Sequence, residues 1–313
     1  MNRPETVVAG GALRTARARQ AYALLLLTAL MWAGNSIAAR LAVGEISPML
    51  LTFMRWIFAC ATLAVIAGRQ IREEWRLLVP AWKLVVAMGA CGYTAFNALY
   101  YTAGAYTTAV NLTVIQGATP VVVLIGGLLI YGTPVRALQA LGVVVTLLGV
   151  GLATTHGDLA IIKNLAFNRG DVFVFIACVL YAGYALAIPK RPKVSGLVFF
   201  SAMAAAACLT SVPLVVAEAV AGRTIFPSTP LGFAVLLFVA WGPTLVAQMS
   251  FLRAVELIGP GRAGVFMNCT PVFAAFMAVF FLGEPYRITD ALALALVLGG
   301  IYIAERRSAI RNQ

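Results

Sequence analysis

The second half of this chain repeats the first. Shifting Tyr100 to Ala153 forward by 151 positions lays it on Phe251 to Ala304 without a gap, and thirteen of the 54 aligned positions are identical. The identities include Thr119-Pro120-Val121 over Thr270-Pro271-Val272, Gly132 over Gly283, Pro134 over Pro285, Arg136 over Arg287 and Gly149 over Gly300. Nearer the start of each half, Trp32-Ala33-Gly34 matches Tyr181-Ala182-Gly183 at an offset of 149, with loops absorbing the difference. Apolar runs long enough to cross a bilayer at about 1.5 Å per residue lie near 21–39, 47–68, 84–103, 108–131 and 135–154, then near 172–189, 195–217, 229–250, 263–282 and 288–304. Five spans per copy is an odd number, so the second copy enters the membrane from the opposite side and the halves are inverted. Inverted repeats are a common construction of secondary transporters, with the substrate path near the bilayer midplane between the halves.

With 62% hydrophobic and 11% charged residues, 313 residues carry too little polar surface for a soluble globule. The expected fold class is therefore an all-α polytopic membrane protein of ten transmembrane helices in two inverted five-helix repeats. Its expected parts are an N-terminal segment 1–20, a first repeat 21–156, a linker 157–170, a second repeat 171–305 and a tail 306–313. Seventeen of the 23 Lys and Arg residues fall on the side that holds both termini, five fall on the other, and Arg55 lies inside a span. The positive-inside rule then makes the termini cytoplasmic and the linker periplasmic. That bias accounts for the net charge of +12 and leaves little for a nucleic-acid partner to explain.

Arg14, Arg17 and Arg19 ahead of an apolar run resemble a secretory signal, but the run is long and its Trp32-Ala33-Gly34 has a counterpart in the second half, so it reads as the first span. The five cysteines fall within spans without CxxC spacing and read as packing residues.

No Asp or Glu lies well inside any of the ten runs; all eleven acids sit in loops or at span ends, and the one histidine, His156, belongs to a loop. Intramembrane carboxylates and histidines are the usual proton relays and cation sites, so this pattern weighs against proton antiport and multivalent cation transport. It also weighs against a membrane enzyme, since HExxH, paired carboxylates and an embedded Ser/His pair are all missing from the sequence. No metal and no cofactor are expected.

Polar and aromatic residues inside the spans recur at helical spacing. Trp32, Asn35, Ser36 and Ala39 share a face of the first span, and Tyr93, Asn97 and Tyr100 one of the third. Thr113, Gln116 and Pro120 do so in the fourth, Tyr181 and Tyr184 in the sixth, and Thr244, Gln248 and Phe251 in the eighth, while Asn268 and Pro271 lie in the ninth. Amides and phenols are costly to expose to lipid and should point inward, lining a neutral, hydrogen-bonding, aromatic cavity. The alternative is that they join neighbouring helices by interhelical hydrogen bonds. Arg55 is the one formal charge well inside a span. It could meet a substrate carboxylate, but one to two turns from a span end a long side chain can also snorkel or bond helix-end carbonyls, and that reading is favoured. Pro120 and Pro271, and likewise Gly92 and Pro243, occupy equivalent sites in the two halves and are candidate hinges or static kinks. Gly142 and Gly149, matched by Ala293 and Gly300, point to close helix packing, with a dimer face as the weaker option.

Several of these stretches resemble the EamA branch of the drug/metabolite transporter superfamily. Trp32-Ala33-Gly34-Asn35 running to Arg40 is similar to its W-G-x-N-(x)4-[KR] opening, and Pro48 with Arg55-Trp56 to its P…R-[FW] pattern. Ala98-Leu99-Tyr100-Tyr101, Pro120, Gly132, Gly149 and Leu282-Gly283-Glu284-Pro285 resemble the remainder. The chain departs from the pattern at Tyr131-Gly132-Thr133, where L-G-E is usual, and at Tyr181, which replaces a Trp. Within the family it looks most like the YddG-type exporters of aromatic amino acids and methionine. The resemblance implies a ten-helix basket with a central cavity and efflux of small metabolites from a bacterial cytoplasm across the inner membrane. The resulting expectation is an exporter of amino acids or similar metabolites, working as a monomer in the bilayer without obligatory proton coupling. Multidrug efflux is the alternative, and a channel or enzyme a more distant one. Expected substrate contacts are Trp32, Asn35, Tyr93, Asn97, Tyr100, Gln116, Tyr181, Tyr184, Gln248 and Asn268.

Overall fold

An apolar run in a bilayer must satisfy its backbone internally, which a helix does. In the computed structural model, which describes residues 4–132, 134–135, 137–155, 168–258 and 269–305, every regular element among those residues is helical. In chain order the α-helices are α1 (Pro4–Leu41), α2 (Pro48–Leu78), α3 (Trp82–Gly89), α4 (Phe96–Ala103), α5 (Ala109–Gly117), α6 (Thr119–Tyr131) and α7 (Ala137–Thr155). The second half holds α8 (Arg169–Ala187), α9 (Gly196–Val220), α10 (Pro230–Trp241), α11 (Ala247–Ile258), α12 (Cys269–Leu282) and α13 (Ile288–Glu305).

Among the described residues, six helical runs are long and apolar enough to cross a membrane, and three shorter apolar helices accompany them. One of the six, Pro48–Ala103, has 56 residues and would reach about 84 Å if straight. It does not, because the Arg55 guanidinium donates to the Asn97 amide oxygen at 2.5 Å. The run therefore doubles back, and the place is the 3-10 turn Val79–Ala81, where Pro80 lacks an amide donor.

The repeat reappears as backbone geometry. The third and eighth spans are each interrupted by a π-turn, Ala90–Ala95 and Gly242–Val246, at positions about 151 apart. Gly92 and Pro243 lie in these turns. The fourth and ninth spans each end on a left-handed glycine, Gly132 and Gly283, both with φ of 63°. That conformation disfavours any side chain, which is why glycine closes both helices.

The antiparallel pair α2 and α9 shows the inversion most directly. Glu218, near the C-terminal end of α9, accepts from Ser47 Oγ (2.6 Å), Met49 N (3.2 Å) and Leu50 N (3.1 Å) at the start of α2. Glu74, near the C-terminal end of α2, accepts from Ser195 N (2.7 Å) at the start of α9. Each helix thus caps the other's unsatisfied N-terminal donors with a carboxylate, which the helix dipole also favours.

The helices α7 and α13 pack along a seam of small residues. A Cβ on Gly149 would sit 2.8 Å from Ala293 O, and one on Gly300 2.6 Å from Gly142 O. The stripe of small residues is therefore used within the molecule, where close packing was the expectation and a dimer face the alternative. α1 extends through the expected N-terminal segment, with Arg17 and Arg19 exposed.

Candidate functional site

The centre of the molecule is built from the faces of α1, α2, α4 and α8 with the two π-turns. A π-turn places one extra residue in the ladder, so the side chains after it rotate out of the helical register, and such turns cluster at functional positions. Here they carry Tyr93 and Thr244, which the repeat aligns with each other.

One side of the centre is aromatic. Tyr93 stacks on Trp56 with ring centroids 4.9 Å apart and planes at 3°, and meets Tyr184 at 5.5 Å. Tyr184 touches Tyr181 at 5.3 Å, Tyr181 touches Phe96 at 5.3 Å, and Phe96 stacks on Tyr100 at 5.6 Å. This chain of rings runs from span two through span three to span six, and ring pairs at such separations add to what burial contributes. Gly92 is what permits it, since a Cβ there would lie 2.5 Å from Tyr184 Cγ.

The other side is a polar node. Arg55 Nε and Nη2 donate to Thr244 Oγ1 at 3.0 and 2.6 Å, and Nη1 donates to Asn97 Oδ1 at 2.5 Å and to the Tyr101 hydroxyl. The Tyr101 hydroxyl in turn donates to Asn35 Oδ1 at 2.8 Å. Asn97 Nδ2 donates to Tyr93 O at 2.5 Å, and Thr244 Oγ1 donates to Val239 O at 2.6 Å. The guanidinium also lies 5.1 Å from the centre of the Trp56 ring and 5.6 Å from that of Tyr101. Arg55 is 5% exposed, so it does not snorkel, and its bonds go to side chains of spans three and eight rather than to helix-end carbonyls.

Of the residues expected to line a cavity, Asn35, Tyr93, Asn97, Tyr100, Tyr181 and Tyr184 therefore come together. Trp32 stands beside them, half-buried, its indole donating to Pro243 O at 3.1 Å and its ring 5.7 Å from Phe251. Gln116 and Gln248 are half-buried on α5 and α11 and share no hydrogen bond with the node. Asn268 lies outside the described residues. Pro120 opens α6 after a break at Ala118 (φ −78°, ψ −4°) and is exposed, whereas Pro271 is buried in the first turn of α12. Sequence reasoning missed Trp56, Phe96 and Tyr101 as contributors, and read Thr244 on an inward face without counting it among the substrate contacts. The signal was available for Tyr101, which follows Asn97 by one helical turn, and the repeat also pairs Thr244 with Tyr93.

Two ends flank this centre. At the end carrying Ser47 and Gly283, Glu284 accepts from Ala109 N at 3.0 Å and pairs with Arg40 at 3.5 Å, while Arg40 Nη1 donates to Gly104 O at 2.6 Å. Thr107 donates to Asp171 at 2.5 Å and Thr229 to Glu45. At the opposite end the Tyr131 hydroxyl donates to Leu186 O at 2.6 Å, and Lys190 lies over the Tyr131 ring at 5.5 Å.

Comparison with known proteins agrees with this architecture. The model of the EamA-like transporter family matches the chain twice, over residues 19–155 and 168–305. The uncharacterized transporter YyaM of Bacillus subtilis is 25% identical over 287 residues, which is 90% of this chain and 92% of that protein. An uncharacterized transporter of Archaeoglobus fulgidus is 24% identical, over 90% of this chain and 96% of its own. The uncharacterized inner membrane transporter YicL of Salmonella typhimurium is 22% identical over 89% and 93%. One solved crystal structure superposes with a TM-score of 0.62 at 18% identity, covering 94% of this chain and 99% of the other, and shares the fold.

Proposed function

Because the chain belongs to the EamA-like transporter family, a multi-pass membrane transporter fold built twice over, we propose that it exports amino acids or similar small metabolites across a bacterial inner membrane. Transport proceeds by alternating access between the inverted halves, ten spans in all, with both termini in the cytoplasm and the bilayer as the only partner a monomer needs. The observation that carries the reading is the pairing of an aromatic wall, Tyr93, Tyr100, Tyr181 and Tyr184, with a hydrogen-bonding node that contains Asn35 and Asn97. Rings accept an apolar side chain, and amides orient polar groups at its other end. Trp32, Gln116 and Gln248 extend the lining, Asn268 is a further expected contact that lies outside the described residues, and Gly92, Pro120, Pro243 and Pro271 are the proposed hinges.

Proton coupling has no carrier in this centre, since among the described residues no acid bonds to the node and the groups meeting there are amides, hydroxyls, phenols and one guanidinium. The movement is therefore facilitated, down the substrate's own gradient. Multidrug efflux of cations fits less well, because a buried guanidinium repels a cationic solute.

Uptake of labelled tryptophan, methionine and threonine into liposomes holding the purified protein, with and without an imposed pH difference, tests this. Saturable equilibration independent of the pH difference is expected. Accumulation above equilibrium driven by the pH difference overturns the uncoupled mechanism, and no flux of any amino acid through folded protein overturns the substrate class.

A further inference from the structure

Among the described residues, the charge in the polar node has no partner of opposite sign. Arg55 is 5% exposed and bonds only to neutral groups: Thr244, Asn97 and Tyr101. No Asp or Glu lies well inside any span, so neither repeat offers it an acid. A guanidinium removed from water without a counter-ion is strongly disfavoured, and hydrogen bonds to neutral oxygens recover only part of the loss. A second observation points the same way. The indole N–H of Trp56, in the ring lying against the guanidinium, is buried with no acceptor. A centre with an unneutralised cation beside an unmet donor is complementary to an anion.

The repeat sharpens the point. Most central positions have a counterpart in the other half, as Tyr93 has Thr244 and Asn97 has Gln248, but the positions 148 and 149 beyond Arg55 hold Met203 and Ala204. The charge is thus a single off-axis feature rather than part of the duplicated scaffold. Arg55 stands where the aromatic wall ends, since its neighbour Trp56 is the first ring of the chain that leads through Tyr93 and Tyr184 to Tyr181. An anionic group at Arg55 would therefore place an attached apolar body along those rings.

We infer that Arg55 is the recognition site for an anionic group, a carboxylate, on the transported molecule, which makes the substrate class organic carboxylates with an aromatic or bulky apolar body. Guanidinium and carboxylate match in shape and charge, so binding replaces one or more of the neutral contacts to Thr244, Asn97 and Tyr101 with a charge-assisted pair. Because Arg55 ties span two to spans three and eight, and through Tyr101 to Asn35 of span one, the arrival of a carboxylate also loosens these ties. This inference rests on the transporter reading above but does not need the solute to be an amino acid.

The test is a series of three solutes that share one ring system: indole-3-propionate (anion), tryptophan (zwitterion) and tryptamine (cation). Each is added to the purified full-length protein in detergent and the thermal unfolding midpoint is read, with sodium chloride as a control and flux in liposomes as a second measurement. Indole-3-propionate and tryptophan are expected to raise the midpoint and tryptamine is not. Arg55→Gln should abolish the shift and raise the half-saturating concentration for flux at least tenfold, while Arg55→Lys keeps part of both. Equal stabilisation by tryptamine overturns the inference, as does a shift with chloride and no distinction among the three solutes. A folded Arg55→Gln protein with an unchanged response overturns it too. The wild-type series decides the matter even where Arg55→Gln does not fold. Arg55-dependent stabilisation by indole-3-propionate without flux of any amino acid leaves the anion site standing and removes the amino-acid reading; tryptophan flux indifferent to Arg55→Gln does the reverse.

Discussion

The two ends of the molecule are made from the same duplicated sequence, yet among the described residues they are joined in different ways. At the Ser47–Gly283 end, carboxylates tie elements distant in sequence: Glu218 caps α2, Glu284 caps α5 and pairs with Arg40, Glu45 meets Thr229 ahead of α10, and Asp171 holds Thr107. At the opposite end only Glu74 reaches across to another helix, while Glu73 and Glu256 pair locally with Arg69 and Arg253 on exposed surface. The helices follow suit. α12 buries Thr270, Pro271, Ala274, Ala275 and Ala278, whereas α6, its counterpart, buries only Val121. The lesson is that the acids are shared almost evenly between the ends, and what differs is that most of the described ones at the Ser47–Gly283 end join elements distant in sequence. Surface ion pairs like those of Glu73 and Glu256 contribute little, so the described ties at the opposite end are the weaker ones.

Breaking the strongest tie should show the difference most clearly. Glu284→Ala leaves the Ala109 N–H without its acceptor and Arg40 without its acid, at a cost of about 1–3 kcal/mol to closure of that end. In a cysteine-free protein carrying Val110→Cys, labelling by a membrane-impermeant thiol reagent should rise about tenfold or more; unchanged labelling would remove Glu284 as a latch.

A smaller effect separates the reciprocal caps. Glu218 satisfies three donors and Glu74 one, so Glu218→Ala should destabilise by about 1–2 kcal/mol and Glu74→Ala by about 0.5–1 kcal/mol. Denaturant unfolding in micelles reads both, and equal losses would show that the two ends are tied alike after all.

The smallest is expected from Tyr131→Phe, which deletes one exposed hydrogen bond to Leu186 O. The cost is about 0.5–1 kcal/mol, and with that end already weakly tied, transport should stay within about twofold of wild type. A loss of transport as large as that of Glu284→Ala would place a second latch at Tyr131.

The sequence alone carried much of the architecture. Long apolar runs in a chain this poor in charge must become helices in a membrane, and a gapless 54-residue self-alignment must become two like units. The paired glycines Gly132 and Gly283 and the paired irregular positions Gly92 and Pro243 were visible in the repeat, and the structure makes the first pair left-handed caps and sets the second in π-turns, because backbone demands are local and show in residue type. Helical spacing also identified which residues share an inward face, and so Asn35, Tyr93, Asn97 and Tyr184 were legible.

What spacing does not encode is which neighbouring face a residue meets. Arg55 lies close enough to a span end to snorkel, and only the packing of α2 against α4 and the eighth span's π-turn places its guanidinium among Thr244, Asn97 and Tyr101. Gly92 read as a flexible point, and only the approach of α8 makes it a contact surface for Tyr184. Glu218 and Glu74 read as ordinary span-end acids until the antiparallel pairing of α2 and α9 turned them into caps for each other. Periodicity is a property of one helix, whereas hydrogen bonds and ring contacts depend on the rotation and depth of two, and those are decided only when the helices pack.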